Sequence, residues 1–375
     1  MSYRKFNIIT IDIDALKHNF HALSKLLAPN CMGIMAVVKS DAYGHGLIEV
    51  SKALVKEGAK FLGISEVEEA AQIRDAGITT PILLLSGLAL GAEKDAFYYD
   101  LIPGVADLSS LNALEETARL YDVKKDVHIK VDTGMGRLGF SIDEAKDIFL
   151  KKDEWPHLNF SGLYSHLSAS DDPEDPFTYN QLNKFLSFIS FLKKRGLLPP
   201  IIHMANSGGV INFPETHFDI VRPGLALYGA YPGEASKEKI HLRPVMSFKS
   251  KIISIHKRAA NSPVSYGHTY YTKRESKIAV VPVGYDDGYL RALSNKASVL
   301  VNGQLCPVVG RICMKALMID ITDIDGVNIN DEVVLLGKQG SNEITIEMLA
   351  EWANTISYEI MCLLGTRNQR IFKGA

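Results

Sequence analysis

The sequence predicts an α/β fold in which a (β/α)8 TIM-like barrel is followed by a mostly β C-terminal domain. Eight short apolar runs alternate with helix-like stretches between residues 33 and 221, at the spacing of repeated βα units. Polar or charged residues follow these runs, and barrel enzymes keep their chemistry at the carboxyl ends of their strands. After residue 233 the strand-like runs follow one another without long helical segments between them.

Length and composition predict two domains, which we place at residues 1–240 and 241–375, with pairing of residues 1–11 to the second domain left open. The chain has 375 residues, of which 46% are hydrophobic, so it can bury a large core. Its formal net charge of -2 does not indicate binding to nucleic acid or to an anionic membrane. No signal-peptide pattern or membrane-spanning run is present, which predicts a soluble cytoplasmic protein. The four cysteines lack metal-ligand spacing, so we expect them to be reduced and expect no metal: Cys31, Cys306, Cys313 and Cys362.

The elements follow in order after an amphipathic segment at residues 14–27. The predicted barrel strands are 33–38, 61–64, 82–85, 101–105, 127–131, 160–164, 201–204 and 218–221. Asn302-Gly303 is a hairpin signal in the second domain. The other predicted elements there are strands at 245–256, 277–283, 299–301, 307–309, 316–320 and 332–336 and a helix at 345–353.

The residues that follow the barrel strands predict a site at one end of the barrel. A lysine, a histidine and an arginine converge there beside glycine-rich loops, which a strand that merely ends in solvent does not require. These residues are Lys39, Ser65-Glu66, Ser86, Asp107, Asp132, His166, Asn206-Ser207 and Arg222.

Lys39 is the residue at which we expect the chemistry. A lysine at the mouth of an apolar strand is partly desolvated, which lowers its pKa and frees the amine to form a Schiff base. The run Ala36-Val37-Val38-Lys39-Ser40-Asp41-Ala42-Tyr43-Gly44-His45-Gly46 resembles the pyridoxal phosphate (PLP) signature of alanine racemases. The resemblance extends over nearly the whole chain.

A second glycine-rich stretch matches the residue pattern of a dinucleotide-binding fingerprint, but the helix that follows it does not begin where that fingerprint requires. Gly134-Met135-Gly136-Arg137-Leu138-Gly139 satisfies the Gly-x-Gly-x-x-Gly pattern. The helix after it, however, begins at a capping box, Ser141 to Glu144, whereas in the fingerprint the glycines open the helix. The run 130–140 instead resembles the alanine racemase segment at this place.

Loops after the last two barrel strands are rich in small residues, as expected for a phosphate site. They are Asn206-Ser207-Gly208-Gly209 and Arg222-Pro223-Gly224-Leu225. With Lys39 they indicate a cofactor that has one phosphate and one aldehyde, which is PLP. The resemblance implies a cofactor set of Lys39, Tyr43, His166, Asn206, Ser207, Arg222, Gly224, Leu225 and Tyr358, with Arg222 facing the pyridine nitrogen.

Racemisation requires proton transfer on both faces of the substrate Cα, so a second base must oppose Lys39. The resemblance implies that this base is Tyr266. An ordinary tyrosine has a pKa of about 10, so such a base needs cationic neighbours, and the family supplies a histidine-arginine pair, here His166 and Arg222. The resemblance also implies substrate contacts from Arg137 and Met314 and a carbamylated lysine at Lys130. It implies an entry corridor formed by Ala169, Asp171, Tyr285, Arg291, Arg311 and Ile356, with Tyr358.

One departure from the family pattern lies beside the substrate site. The family usually reads Cys-Met-Asp-Gln where this chain reads Cys313-Met314-Lys315-Ala316, a change of two charge units. We favour a solvated Lys315 near a dimer seam over one that faces the substrate.

The sequence therefore predicts a PLP-dependent alanine racemase. The resemblance further implies that it supplies D-alanine for peptidoglycan and that it is a homodimer with shared active sites. Two alternatives stay open. The first is a non-catalytic PLP-binding barrel protein, although such proteins lack a second domain. The second is a broader-specificity racemase or a fold-related amino-acid decarboxylase.

Overall fold

The computed structural model describes residues 6–374 of the chain. The predictions that concern residues 1–5 and Ala375, at the two ends of the proposed domains, lie outside the described residues. Among the residues that are described, no helix combines the length and the hydropathy that crossing a membrane requires.

Eight parallel strands form a nearly closed barrel, as the sequence predicts. The predicted limits agree with the observed ones to within two residues at each end. Individual backbone hydrogen bonds close the barrel, for example from Asp219 N–H to Ile202 C=O at 3.0 Å. After a first strand, β1 (Ile8–Asp12), the barrel strands are β2 (Gly33–Val37), β3 (Phe61–Ile64), β4 (Ile82–Leu84), β5 (Leu101–Val105), β6 (Lys125–Lys130), β7 (Leu158–Tyr164), β8 (Ile201–His203) and β9 (Ile220–Val221). Their spatial order is β8-β7-β6-β5-β4-β3-β2-β9.

Helices cover the outside of the barrel, and the longer ones bury one face each. In α1 (Ile13–Ser24) the buried positions recur at helical spacing, and the Asp12 side chain caps the first turn by accepting the Ala15 N–H. The remaining helices of this part are α2 (Leu47–Lys56), α3 (Val67–Asp75), α4 (Glu93–Tyr98), α5 (Leu108–Tyr121), α6 (Ile142–Leu150), α7 (Phe177–Lys193) and α8 (Ser207–Asn212).

The C-terminal part is mostly β and contains two sheets. The larger has the order β14-β13-β16-β10-β1-β18, with β17 paired to β16, and the smaller has the order β11-β12-β15. The strand β1 lies between β10 and β18, so the start of the chain is part of the larger sheet. The elements are β10 (Met246–Lys251), β11 (Ser254–Arg258), β12 (Ser276–Val281), β13 (Ser298–Val301), β14 (Gln304–Pro307), β15 (Leu317–Asp320), β16 (Glu332–Gln339), β17 (Asn342–Ile344), α9 (Ile346–Ala353), α10 (Ser357–Arg367) and β18 (Gln369–Lys373).

Two predicted strands of this part are corrected. The run 245–256 is two strands, because the chain leaves one sheet after β10 and enters the other at β11. The strand predicted at 307–309 is instead β14, which begins three residues earlier. Asn302 and Gly303 both have positive φ, at 49° and 76°, and this two-residue turn pairs Val301 directly with Gln304.

Candidate active site

A cavity of about 460 Å³ opens at the carboxyl ends of the barrel strands. Four basic side chains line it, those of Lys39, Lys130, Arg137 and Arg222, and among the described residues no carboxylate does. Other predicted site residues in its wall are Tyr43, His166, Asn206, Ser207, Gly224, Leu225, Ile356 and Tyr358. The cavity is therefore built to receive a molecule with more than one negative charge.

Lys39 follows β2, where the chain leaves the barrel wall. Burial lowers the pKa of its ammonium group, and the positive charge of Arg137 lowers it further. Both effects favour the neutral amine, which is the nucleophilic and basic form of a lysine.

Arg222 is fully enclosed at the end of β9 and makes four hydrogen bonds. It donates to His203 Nδ1 at 2.7 Å, to the carbonyls of Ser165 and Met204 at 2.7 and 3.0 Å, and to His166 Nδ1 at 3.3 Å. Burial lowers the pKa of Arg222 to about 10, so the guanidinium is still charged at neutral pH. Its orientation is thus fixed by residues in and just after β7 and β8, on one side of β9.

A second histidine continues the hydrogen bonds of Arg222 into the barrel. Because Arg222 donates to His203 Nδ1, the proton of His203 is on Nε2, which donates to His128 Nδ1 at 2.8 Å. The proton of His128 is then on Nε2, a buried atom without a partner among the described residues. Gly162 permits this arrangement, since a Cβ there would lie 2.4 Å from the His128 ring. The sequence analysis did not predict these hydrogen bonds between Arg222, His203 and His128. The available signal was the presence of a histidine on each of two barrel strands, β6 and β8.

Lys130 lies deeper in the same cavity, at the end of β6. It donates a hydrogen bond to the Leu85 carbonyl at 3.3 Å, and its Nζ is 5.4 Å from the centre of the Tyr164 ring. Burial, and then the charges of Arg222, Arg137 and Lys39, lower the pKa of Lys130 to about 8. A substantial fraction of its amine is therefore neutral near physiological pH.

The glycine-rich loop after β6 carries Arg137 back over the barrel mouth. The Asp132 carboxylate accepts the Gly134 N–H at 2.7 Å and the Gly136 N–H at 2.8 Å. A Cβ at Gly139 would lie 2.8 Å from the Asp132 nitrogen, so only glycine lets the loop close. The helix α6 then begins at the predicted capping box, in which the Ser141 and Glu144 side chains bind each other's backbone N–H groups.

The two small-residue loops at the cavity are held to each other. The Ser207 hydroxyl accepts the N–H groups of Gly224 at 3.0 Å and Ala226 at 3.2 Å. A Cβ at Gly224 would lie 2.4 Å from the Tyr43 hydroxyl, so glycine keeps this corner of the cavity open. Asn206 Oδ1 accepts hydrogen bonds from the Ser170 hydroxyl and from the Gly209 N–H, and so it fixes the start of α8. Hydroxyls, backbone N–H groups and nearby cations together fit a phosphate group.

Several predicted site residues do not line this cavity in the single chain. Tyr266 and Met314 are 73% and 57% exposed, on loops of the C-terminal part. Arg311 lies beside Gly267 on that same surface, where its Nε would be 3.4 Å from a Cβ at Gly267. The rest of this group are Ala169, Asp171, Tyr285 and Arg291.

Some of the polar residues after the barrel strands have structural roles or lie elsewhere. Asp107 caps α5 by accepting the Ser110 N–H at 2.8 Å. With Ser65 and Glu66 it lines a neighbouring cavity of about 610 Å³, and Ser86 lines both this cavity and the first one.

The Lys315 side chain is 57% exposed, so it is in contact with solvent as expected, but it is also held in an ion-pair cluster. Its ammonium group lies 2.7 Å from carboxylate oxygens of both Asp286 and Asp287. These aspartates are close because the N–H groups of Tyr285 and Asp286 donate to the carbonyls of Cys313 and Met314, at 3.1 Å each. Lys315 therefore joins two loops instead of facing a substrate.

Comparisons with known proteins agree with one another. The alanine racemase N-terminal domain family matches residues 11–232, and the alanine racemase C-terminal domain family matches residues 245–372. The alanine racemase of Halothermothrix orenii is 42% identical over 97% of this chain and 96% of its own length.

Solved structures give the same result. An alanine racemase structure from Bartonella henselae with covalently bound pyridoxal phosphate has a TM-score of 0.89 and 31% identity, over 98% of this chain and 100% of that one. A structure of the Bacillus anthracis alanine racemase with bound L-Ala-P has a TM-score of 0.90 and 33% identity, over 100% of this chain and 96% of that one.

Proposed function

Because the chain belongs to the alanine racemase family and is a PLP-dependent enzyme that interconverts L- and D-alanine, we propose a role in that reaction for the residues around its cavity. The observation that carries the proposal is the set of two arginines and two lysines that line the cavity, with no carboxylate among the described residues. The cofactor brings a phosphate and the substrate a carboxylate, and both need positive partners.

Tyr43, Ser207, Gly224, Leu225 and Tyr358 hold the phosphate group. Asn206 acts on the same subsite through the start of α8, which its side chain fixes. Bound PLP supplies an electron-withdrawing ring that acidifies the substrate Cα–H.

Arg222 faces the pyridine nitrogen, and His166 and His203 hold its guanidinium in place. With its pKa at about 10, Arg222 has little tendency to release a proton to the ring at neutral pH. This restrains charge delocalisation and favours proton exchange over transamination or decarboxylation.

The Lys39 amine and the Tyr266 hydroxyl exchange protons with opposite faces of the substrate Cα. Arg137 binds the substrate carboxylate as a two-pronged donor, with the backbone of Met314 beside it. Lys130 orients Arg137 as a carbamate, which forms when its neutral amine adds CO2 and releases a proton. The pKa of about 8 at Lys130 supports this step, because only the neutral amine reacts.

The enzyme is a homodimer in which each cavity is completed by the other chain. The exposure of Tyr266 and Met314, outside the cavity of their own chain, supports this arrangement. Ala169, Asp171, Tyr285, Arg291, Arg311, Ile356 and Tyr358 form the entry corridor between the two chains.

The enzyme acts in the cytoplasm and supplies D-alanine for peptidoglycan, and its two domains divide near residue 240. The non-catalytic alternative does not fit, because the C-terminal domain family matches residues 245–372. A wider substrate range stays the alternative for this site. Separate incubation with L-alanine, L-serine and L-lysine, followed by measurement of product chirality, distinguishes a narrow enzyme from a broad one.

Borohydride reduction of the PLP-loaded protein tests the assignment of Lys39. The pyridoxyl group should appear on a peptide that contains Lys39. Lys130 lines the same cavity and is the internal control, so a label on its peptide would contradict the assignment. A Lys39→Ala protein that still racemises alanine would contradict it as well.

Subunit mixing tests the shared site. Lys39→Ala and Tyr266→Phe proteins should each be nearly inactive, and mixed dimers should regain activity, because one of their two cavities has both bases. Mixed dimers that form and remain inactive would disprove the shared site.

A further inference from the structure

The four residues after Lys39 form a left-handed turn that contains no glycine. Ser40, Asp41, Ala42 and Tyr43 have φ angles of 55°, 53°, 54° and 55°. L-residues visit this region singly, because Cβ then crowds the following carbonyl oxygen. A run of four persists only where the surroundings over-determine it.

Two side chains bind this turn, and the Asp41 side chain of the turn binds the start of α2. Glu69 accepts the Ser40 N–H, and Asp41 Oδ1 accepts the Leu47 N–H at 2.8 Å. His45 Nδ1–H donates to the carbonyls of Ala42 and Tyr43 at 3.1 and 2.9 Å. The polar groups of the turn are thus matched in the left-handed geometry.

The C-terminal segment supplies the outermost contact. Arg370, on β18, donates to the Asp41 carboxylate and to the Gly44 carbonyl. The backbone of α10 touches the turn directly, since a Cβ at Gly365 would lie 1.8 Å from Gly44 O. Both α10 and β18 belong to the C-terminal part, so the two parts of the chain meet at the turn that follows Lys39.

We propose that Asp41 and Arg370 are positioning residues of the enzyme: their ion pair keeps the turn left-handed, and the turn aims the Lys39 amine into the cavity. The proposal rests on the role given to Lys39 above. Neither residue lines the cavity, so they act through the backbone of the turn and not on the substrate.

Arg370→Met is the main test, with Arg274→Met as its matched control. Arg274 forms an exposed ion pair with Asp323, so the control removes the same kind of pair far from the turn. Arg370→Met should slow borohydride labelling of Lys39 and lower kcat by about 10- to 100-fold with little change in KM, as expected for a displaced reacting group. Arg370 makes both of its contacts at the turn through one nitrogen, Nη1, so Arg370→Lys, which keeps the charge, should recover part of the loss.

Two further variants separate positioning from simple loss of folding. Asp41→Asn keeps an oxygen for the Leu47 N–H and removes the charge, so it should repeat the labelling defect in a folded protein. Ala42→Gly should restore labelling to Arg370→Met, because glycine adopts positive φ without support. Hydrogen exchange at the Leu47 amide should follow the same order as labelling.

The proposal is overturned if Arg370→Met labels Lys39 at the rate of Arg274→Met, or if Ala42→Gly restores nothing. It is also overturned if Asp41→Asn labels at the wild-type rate. If the wild-type label is not on Lys39 at all, the role proposed for Lys39 fails first, and this outcome is distinct from the others.

Discussion

The ammonium group of Lys315 lies 2.7 Å from Asp287 Oδ1, and only 6% of the Asp287 side chain is exposed. Asp286 is an equal distance away, and hydrogen bonds to Asp286 and then Asp287 raise the pKa of Lys315. The positive charge that departs from the family pattern is therefore neutralised locally. It joins the loop of Tyr285 to the loop of Met314, two residues that we assign to the corridor and the substrate site.

Lys315→Asp should raise KM for alanine more than it lowers kcat. The substitution places a third carboxylate beside two others, so the loops of Tyr285 and Met314 should separate. We expect a roughly three- to tenfold rise in KM, equivalent to about 1 kcal/mol of lost binding. Steady-state kinetics measure this.

Lys273→Asp is the control for the Lys315 variant, because it makes the same charge change at an exposed position. Lys315→Met should have a smaller effect than Lys315→Asp, since it removes the ion pairs without adding repulsion. An equal rise in KM for Lys273→Asp would show that only overall charge matters.

The hydrogen bond that Arg222 donates to His203 should contribute measurably to the free energy of unfolding. His203→Leu leaves a buried guanidinium short of a partner, and a hydrogen bond to a charged group is worth about 1.5–3 kcal/mol. His203→Asn retains an acceptor oxygen near the position of Nδ1 and should lose less. Chemical denaturation at saturating PLP compares the two variants, and equal losses would contradict the assigned tautomers.

Sequence reasoning reached most of the barrel because each strand is a short apolar run whose pattern is local. It reached the cavity because barrel strands end at one face, which collects Lys39, His166 and Arg222 without further information. The segment of α10 and β18 was missed. The strand β18 alternates polar and apolar residues over only five positions and is stabilised by its pairing with β1.

Long-range contacts explain the other omissions. Asp41 and Arg370 are 329 positions apart, so no local pattern joins them. The contact of His128 with His203 depends on the alignment of β6, β7 and β8 and on the missing side chain at Gly162. The ion pairs of Lys315 were not predicted because its partners, Asp286 and Asp287, reach it only once two loops are hydrogen-bonded together.

Stability should fall as the pH drops below about 6.5, because fully buried histidines, among them His45, His128 and His203, are neutral in the folded protein. Burial lowers the pKa of His45 to about 4 and of His128 to about 3, and it lowers the pKa of His203 well below its usual range. Between the folded and unfolded pKa values the unfolded chain binds the extra protons, so protonation favours unfolding. Each histidine contributes a slope of about 1.4 kcal/mol per pH unit over that range.

Urea denaturation at several pH values measures this slope. Replacing His128 by Asn should make the slope shallower by one histidine, whereas replacing the exposed His268 by Asn should not change it. An unchanged slope in the His128 variant would mean that this ring is protonated in the folded protein.

The strain in the turn after Lys39 can be measured by comparing two alanine-to-glycine substitutions. Ala42 is in the left-handed turn, and Ala53 is in the right-handed helix α2; both are buried. Each substitution removes one buried methyl group and adds the same freedom to the unfolded chain, so these two effects cancel in the comparison. A left-handed L-residue costs roughly 1–2 kcal/mol, which Ala42→Gly alone relieves. Ala53→Gly should therefore destabilise the protein by about 1–2 kcal/mol more than Ala42→Gly does in urea denaturation at saturating PLP. Equal losses would mean that the turn stores no strain and needs no support from Arg370.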